Sequence, residues 1–392
     1  MDQEPDASGG GEAPTATQPS PAISDPLLSP AAAAAAAAAS PSPSDDLCYE
    51  ADSLHDLAAR GQWRSVLDKV ARARSLSLLS RPHDHLVYLT FSALALLKLR
   101  RPADALAELD SLQPLTTSPD PFASPRFLFE SYPHLYPGRQ GSMLPFSFRL
   151  LHATIPQALG DRPETLDRLY SLLDFVRSKI RGHHGSSEEK DSSAAADRWR
   201  RREVLVMSSL ICNHFCHREF DVALALIRDL LLRSPSDPVL LSRLAYIQLQ
   251  IGDLDGAKAT FAKVEGLRTQ EMGLEFENLV GRNRALEFLV AKDFASAARE
   301  YDECIERDPG DVVAVNNKAM CLMYSRDLSD AIKLLEGALE RVPTAAVNET
   351  VVVNLCSMYE LAYVNHGEIK KSLSNWIARV APDDFDPSCT RV

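Results

Sequence analysis

The densest grouping of metal-ligand and nucleophile side chains in this 392-residue chain is CNHFCH, residues 212–217. Cys212, His214, Cys216 and His217 are residue types that hold zinc, and a closed structural zinc site needs four such ligands converging on one point. The surrounding sequence has helical periodicity. On a helix Cys212 and Cys216 share a face, whereas His214 and His217 project elsewhere, so one ion could not collect all four. The group therefore reads as packing, free cysteine being a small core residue, and no metal is expected. His183–His184 lies in a polar stretch and reads as solvated; His83 and His85, flanking Asp84 beside Pro82, read as a helix start. No Gly-rich phosphate loop follows a strand, and neither G-x-S-x-G nor H-E-x-x-H occurs. The expectation is a non-enzyme without a cofactor.

The elements that carry these residues are repetitive. FDVALALIRDLLLRSP (220–235), LDGAKATFAKVE (254–265), FASAAREYDECIERDP (294–309) and LSDAIKLLEGALERVP (328–343) align column by column. Ala223 and Ala257 are 34 residues apart, as are Ala297 and Ala331; the middle interval is 40, with extra residues around 265–276. Large apolar residues recur at Phe220, Leu254, Phe294 and Leu328, then at Ile227, Phe261, Tyr301 and Leu335. A further column is Leu230, Val264, Cys304 and Ala338, and three units close on proline at 235, 309 and 343. The preceding helices carry Ile211, Ala245, Ala285 and Ala319 at their matching column. This is the 34-residue tetratricopeptide pattern of helix, turn, helix. Small side chains let paired helices approach closely, and proline ends the second helix.

RGQWRSVLDKV (60–70), RRPADALAELDSL (100–112) and GDRPETLDRLYSLL (160–173) resemble the turn and second helix of the same unit at irregular spacing. The fold expected is all-α, a tetratricopeptide-like helical-hairpin solenoid preceded by a disordered N-terminal tail. The boundaries are a Pro/Ala-rich acidic tail at 1–46, a degenerate helical-repeat block at 47–180, and a flexible linker at 181–197. A tetratricopeptide-repeat domain follows at 198–382, then a C-terminal tail at 383–392. The first 46 residues hold eight prolines, nine consecutive alanines and acids without bases, a composition that cannot bury enough surface to order itself. Its Ser-Pro pairs at Ser20, Ser29, Ser40 and Ser42 are candidate phosphorylation sites.

The formal net charge of -12 is concentrated before residue 60. Ten acids precede the first base, Arg60, and the rest of the chain is at -2. A nearly neutral body lacks the basic footprint that nucleic acid or anionic lipid demands. The basic cluster Arg198, Arg200, Arg201 and Arg202 reads as a solvated helix entry. Seven scattered cysteines suit a reducing compartment; no run is long and apolar enough to span a membrane, and no secretory signal is visible. The protein is expected to be cytoplasmic and to bind other proteins.

The register nominates Arg282, Asn283, Asn316, Asn317 and Met320 as groove-lining contacts. In GSMLPFSF, Met143, Leu144 and Phe146 are read as clamping a Pro/aromatic loop to the solenoid, and Met143 and Phe146 are also candidate protein-interaction residues. Pro145 is placed in the first turn of the following helix, with the Ser142 hydroxyl available as a cap. Some tetratricopeptide domains grip a chaperone's C-terminal carboxylate with lysine and asparagine. The corresponding positions here include Arg282, Leu286 and Asn317, and the helix at 348–362 offers no lysine or arginine, so that clamp is rejected. A co-chaperone or peptide-binding adaptor is the competing reading.

Several stretches resemble one family: GSMLPFSFRLLHATIPQALGDRPETLDRL (141–169), WRRREVLVMSSLICN (199–213), RLAYIQLQIGDLDGAKATFAKVE (243–265), AVNNKAMCLMYSRDLSDAI (314–332) and NLCSMYELA (354–362). In this order they are similar to subunit 12 of the trafficking (transport) protein particle (TRAPP) complex, from about residue 136 to 382. The resemblance implies a non-catalytic scaffold subunit of a vesicle-tethering complex, acting in endoplasmic reticulum to Golgi transport and autophagy. Its partners would be the other TRAPP subunits, with an indirect link to Rab GTPases whose exchange chemistry belongs to those subunits. It would sit in the cytoplasm, peripheral to early secretory membranes, with no direct membrane insertion.

Overall fold

The computed structural model describes residues 48–112, 122, 124–183, 189–269 and 271–391. The expected disordered tail at 1–46 lies outside the described residues. Among the described residues every regular element is helical, apart from one isolated antiparallel bridge between Leu128 and Ser142. The helices pair in sequence as antiparallel hairpins: α1 (Cys48–Ala59) with α2 (Trp63–Ser75), α3 (Pro82–Lys98) with α4 (Pro102–Asp110), and α5 (Phe146–Ala158) with α6 (Arg162–His183). The repeats follow: α7 (Glu189–Cys216) with α8 (Phe220–Arg233), α9 (Pro238–Ile251) with α10 (Leu254–Gly266), and α11 (Leu274–Val290) with α12 (Phe294–Arg307). Next come α13 (Val312–Tyr324) with α14 (Leu328–Arg341), the short α15 (Pro343–Ala346), and α16 (Glu349–Ala362) with α17 (His366–Val380).

One turn recurs in seven of these hairpins. A residue just past each first helix has positive φ, two positions beyond the helix end in every case but Gly252: Gly61, Arg100, Gly160, Arg218, Gly252, Lys292 and Arg326. Such a residue reverses the chain at the helix end. The next residue begins the second helix, and where it is aspartate its carboxylate accepts a backbone N–H one turn on, as Asp253 does from Gly256, Asp293 from Ser296 and Asp327 from Asp330. These caps satisfy N–H groups the helix cannot pair internally. The three irregular segments noted at 60–70, 100–112 and 160–173 contain this same turn, so the first block is built on the repeat's joint.

The alanine columns behave as the register requires. Ala223, Ala257, Ala297 and Ala331 are fully buried, and so are Ala245, Ala285 and Ala319 on the partner helices. Ile227, Phe261, Tyr301 and Leu335 fill the space beside them. In the first block α4 is only nine residues long. The loop after it supplies Phe122, Phe127, Tyr136, Met143 and Leu144 to the cluster that holds Leu109, Phe148 and Ile155. Backbone bonds between Met143 and Phe127 (2.7 Å) and between Phe129 and Gly141 (3.0 Å) fix that loop as a folded strap. Pro145 precedes the helix instead of entering it: α5 starts at Phe146, and the Ser142 hydroxyl accepts from the Leu144 N–H at 3.2 Å.

Two stretches expected to be linker or tail carry order. Of 181–197, residues 181–183 complete α6 and 189–197 begin α7. The C-terminal stretch folds back on the start of the molecule. The Asp383 N–H donates to the Gly61 carbonyl at 3.0 Å, and its carboxylate accepts from the Arg64 N–H at 2.9 Å in the first turn of α2. Lys98 pairs with Asp384 at 3.0 Å; Arg100 pairs with Glu349 at 2.5 Å and with Asp386 at 3.4 Å. A side chain at Gly61 would meet the Pro382 ring at 2.5 Å. The first and last hairpins are thereby joined.

Candidate protein-interaction site

At the junction of α5, α6 and α7 a set of aromatic rings and cations gathers. Phe146 opens α5, Phe175 lies in the middle of α6, and Trp199 and Arg202 sit one turn apart on α7, so the last two share a face. The Trp199 ring meets Phe146 edge-on at 6.4 Å and Phe175 at 5.8 Å. The Arg202 guanidinium lies over Trp199 at 4.3 Å and over Phe146 at 5.1 Å. Lys179 lies over Phe175 at 5.4 Å, and the buried Arg149 covers the same ring at 4.4 Å. Aromatic faces attract such cations electrostatically.

Phe146, Phe175, Trp199 and Arg202 are half-buried, whereas Lys179, Arg198 and Arg201 are exposed. Burial, and then the nearby Arg198 charge, push the Arg202 pKa below its usual value. Among the described residues Arg200 pairs with Asp197 at 2.7 Å, while Lys179, Arg198, Arg201 and Arg202 pair with no carboxylate. This differs from the solvated helix entry expected of the basic run, because Arg202 is held on an aromatic platform.

The residues of CNHFCH are drawn to separate protein partners. His214 is buried between the Glu219 carboxylate (2.5 Å) and the Tyr170 hydroxyl (2.9 Å). His217 Nδ1 lies 2.8 Å from the Asn213 carbonyl. Hydrogen bonds from Arg162, then His214, hold the Glu219 carboxyl down to about 2. Cys216 is exposed, and a hydrogen bond with Cys212, aided by His217, brings its thiol down to about 6. Burial instead pushes Cys304, Cys321 and Cys356 up to about 11.

The groove candidates require correction. Asn283, Asn316, Asn317 and Met320 are all buried. Met143, nominated as a clamp and as a contact, is buried too, as a clamp would be, and keeps no surface for a partner. Asn283 donates to the Ser242 hydroxyl at 2.8 Å, linking α11 to α9, and Asn354 donates to Asn316 at 2.8 Å, linking α16 to α13. Asn316 donates to Asn317 (3.2 Å), and Asn317 to the Tyr301 hydroxyl (3.3 Å). Arg282 is partly open and pairs with the buried Asp311, which also accepts from Asn278 at 3.0 Å and from the Ala314 N–H at 3.0 Å. These polar side chains bind hairpin to hairpin because stacking would otherwise leave them buried and unpaired. Of the seven candidates only Arg282 and Phe146 keep surface for a partner.

The tetratricopeptide repeat family pattern matches residues 282–346. The mouse trafficking protein particle complex subunit 12 is 34% identical over 287 residues, which is 70% of this chain and 36% of the mouse protein. The human protein of the same name is 32% identical over 362 residues, 86% of this chain and 48% of its own length. The chain belongs to the subunit 12 family. It spans about half the length of the human relative and less of the mouse one. Among solved structures, a tetratricopeptide repeat protein from Parabacteroides merdae covers 79% of this chain and 96% of its own at 11% identity and a TM-score of 0.40. A chain of the APC/C hetero-tetramer Cut9–Hcn1 covers 74% of this chain and 59% of its own at 15% identity and a TM-score of 0.34.

In this subunit 12 relative, two of the stretches that carry the resemblance, GSMLPFSF and WRRREV, meet at the cluster just described. Phe146 comes from the first and Trp199 with Arg202 from the second, and they touch although 53 residues separate Phe146 from Trp199 in sequence. Sequence reasoning singled out Phe146 but read the arginines as solvent-facing. The available signal was the i, i+3 spacing of Trp199 and Arg202, which places a cation beside an indole on any helix.

Proposed function

We propose that this chain is a non-catalytic scaffold subunit of the trafficking protein particle tethering complex. It would act in endoplasmic reticulum to Golgi transport and in autophagy by presenting helical-hairpin surfaces to other subunits. Its link to Rab GTPases would run through those subunits, and its place would be the cytoplasmic side of early secretory membranes; no helix among the described residues is long and apolar enough to cross a membrane. The observation that carries this reading is the extent of similarity to subunit 12, 86% of the chain against the human protein. The fold supports it: stacked hairpins are a common platform for protein contacts. Arg282 and Phe146 are the sequence-nominated residues with surface left for such contacts. Affinity purification of the tagged chain from its own cells tests the reading. Recovery of the other tethering-complex subunits in fixed stoichiometry is expected; recovery of chaperones without them overturns it in favour of a co-chaperone.

A further inference from the structure

We infer that the Phe146–Trp199–Arg202 cluster is a docking surface for an acidic peptide segment of a partner protein. The inference rests on the scaffold reading above and names the chemistry that one of its contacts would have. Three observations carry it. First, Arg202 is half-buried on two rings yet has no carboxylate among the described residues. A cation partly removed from water is ordinarily compensated by an anion, and ring faces compensate it only in part. Second, Lys179 lies over the adjoining Phe175 ring and Arg198 stands beside the same guanidinium, and neither pairs with a carboxylate among the described residues. Several other half-buried arginines are paired: Arg177 with Glu203 (2.7 Å) and Asp229 (2.5 Å), Arg162 with Glu219 (2.5 Å). Third, the guanidinium is held by its rings, so its donor fork is pre-oriented and loses little freedom on binding a carboxylate.

The occupant follows from charge and shape. Two or more carboxylates beside an apolar side chain would match the three cations and the half-buried rings of Trp199 and Phe146. A bilayer fits less well, because the rings pack against one another instead of projecting, and the body beyond the acidic start of the chain is close to neutral. Nucleic acid is disfavoured for the same lack of a broad basic face.

The experiment uses the purified full chain and a fluorophore-labelled peptide rich in Glu and Asp, with its Gln/Asn counterpart as control. Saturable binding of the acidic peptide that weakens with salt is expected. Arg198→Glu with Arg202→Glu should weaken it by about tenfold or more, as expected when charge-assisted contacts become repulsive. The matched reversal Arg228→Glu with Lys263→Glu, at exposed residues outside the cluster, should leave it unchanged. Arg202→Lys keeps the charge and the helix but loses the planar stack, and should weaken binding by a smaller factor. Equal affinity in the double reversal and wild type, equal binding of the neutral peptide, or binding to phosphatidylserine vesicles without binding to the peptide each overturns the inference. In cells, the cluster reversal should lose tethering-complex subunits that the control reversal retains. Failure of the wild-type chain to recover the complex overturns the scaffold reading, and the peptide titration then decides the docking surface by itself.

Discussion

The first block, residues 48–183, and the repeats, residues 189–362, use the same αL turn but complete their cores differently. In the repeats each second helix runs 13 or 14 residues and its alanine column meets the neighbouring helix directly. In the first block the second helix at Pro102–Asp110 is nine residues long, and the aromatic strap at 122–144 takes the place of the missing turn. A solenoid unit is therefore defined by its joint and by the volume it must fill. A regular helix is one way to fill it; an irregular chain anchored by large side chains is another.

The sharpest way to break this comparison is to remove the strap's anchor. Phe148 is fully buried and meets Phe122 edge-on at 5.3 Å; Phe148→Ala should destabilise the first block by about 3–5 kcal/mol. Hydrogen exchange should then rise in α3 to α5 and stay slow in α12 to α14. Equal loss of protection throughout would mean that the two regions are one cooperative unit. In the repeats, where closeness and not bulk is the requirement, the opposite substitution does the damage. Ala297→Leu should cost about 1–3 kcal/mol through overpacking, read as a lower urea midpoint; no change would show slack in the column.

Acid sensitivity should also separate the two. His152 is buried in the first block, where Arg168 donates to its Nε2 at 3.0 Å, and burial, then Arg168 and Arg149, hold its pKa down to about 3. Asp110, whose own carboxyl is raised by burial, lies 3.3 Å away and does not remove the arginine from that nitrogen. Below 6.5 the unfolded state takes up a proton that the folded state refuses, so stability falls as pH drops from 6.5 towards 3, by at most about 1.4 kcal/mol per pH unit. Urea melts of wild type and His152→Gln between pH 7 and 5 check the sign: the wild-type slope should be steeper.

A smaller effect should come from the contact joining the two ends. Asp383→Ala removes the carboxylate at the start of α2 and should cost about 1 kcal/mol, the usual loss for a helix-terminal acceptor, with faster exchange at Arg64. An unchanged Arg64 amide would disconnect the C-terminal stretch from the first block. No stability change is expected from the last comparison, which sets exposed against buried thiols. At neutral pH Cys216 should alkylate with iodoacetamide far faster than Cys304, Cys321 or Cys356, measured by peptide mass spectrometry, because only a thiolate reacts. Labelling of the buried three at the same rate would mean that the repeats open readily.

Much of the fold was legible in order of locality. The alanine columns and the turn signals at 60–62, 100–102 and 160–162 depend on residues a few positions apart. The columns land where the 34-residue period places them, and the irregularly spaced turn signals each fall at a hairpin turn. The asparagines were legible as special but not as buried. Asn316 finds its partner Asn354 38 residues on, and Asn283 finds Ser242 41 residues back. A polar side chain on a first helix looks the same in sequence whether it faces water or the next hairpin. Of the arginine cluster only Arg202 was misread, for a related reason: Phe146 reaches it only once two hairpins have stacked.

The sequence by itself determined the helical hairpins, their small-residue seams and the family, since these follow from short-range spacing and from motif stretches read in order. Tertiary structure decided which polar residues became internal links, how the aromatic strap completed a truncated unit, and that Asp383 would cap a helix 319 residues earlier. It also placed the Arg202 guanidinium, which pairs with no carboxylate among the described residues, on the rings of two separate motifs. Those outcomes depend on the rotation between successive hairpins, which arises from many packing contacts at once and leaves no local mark in the chain.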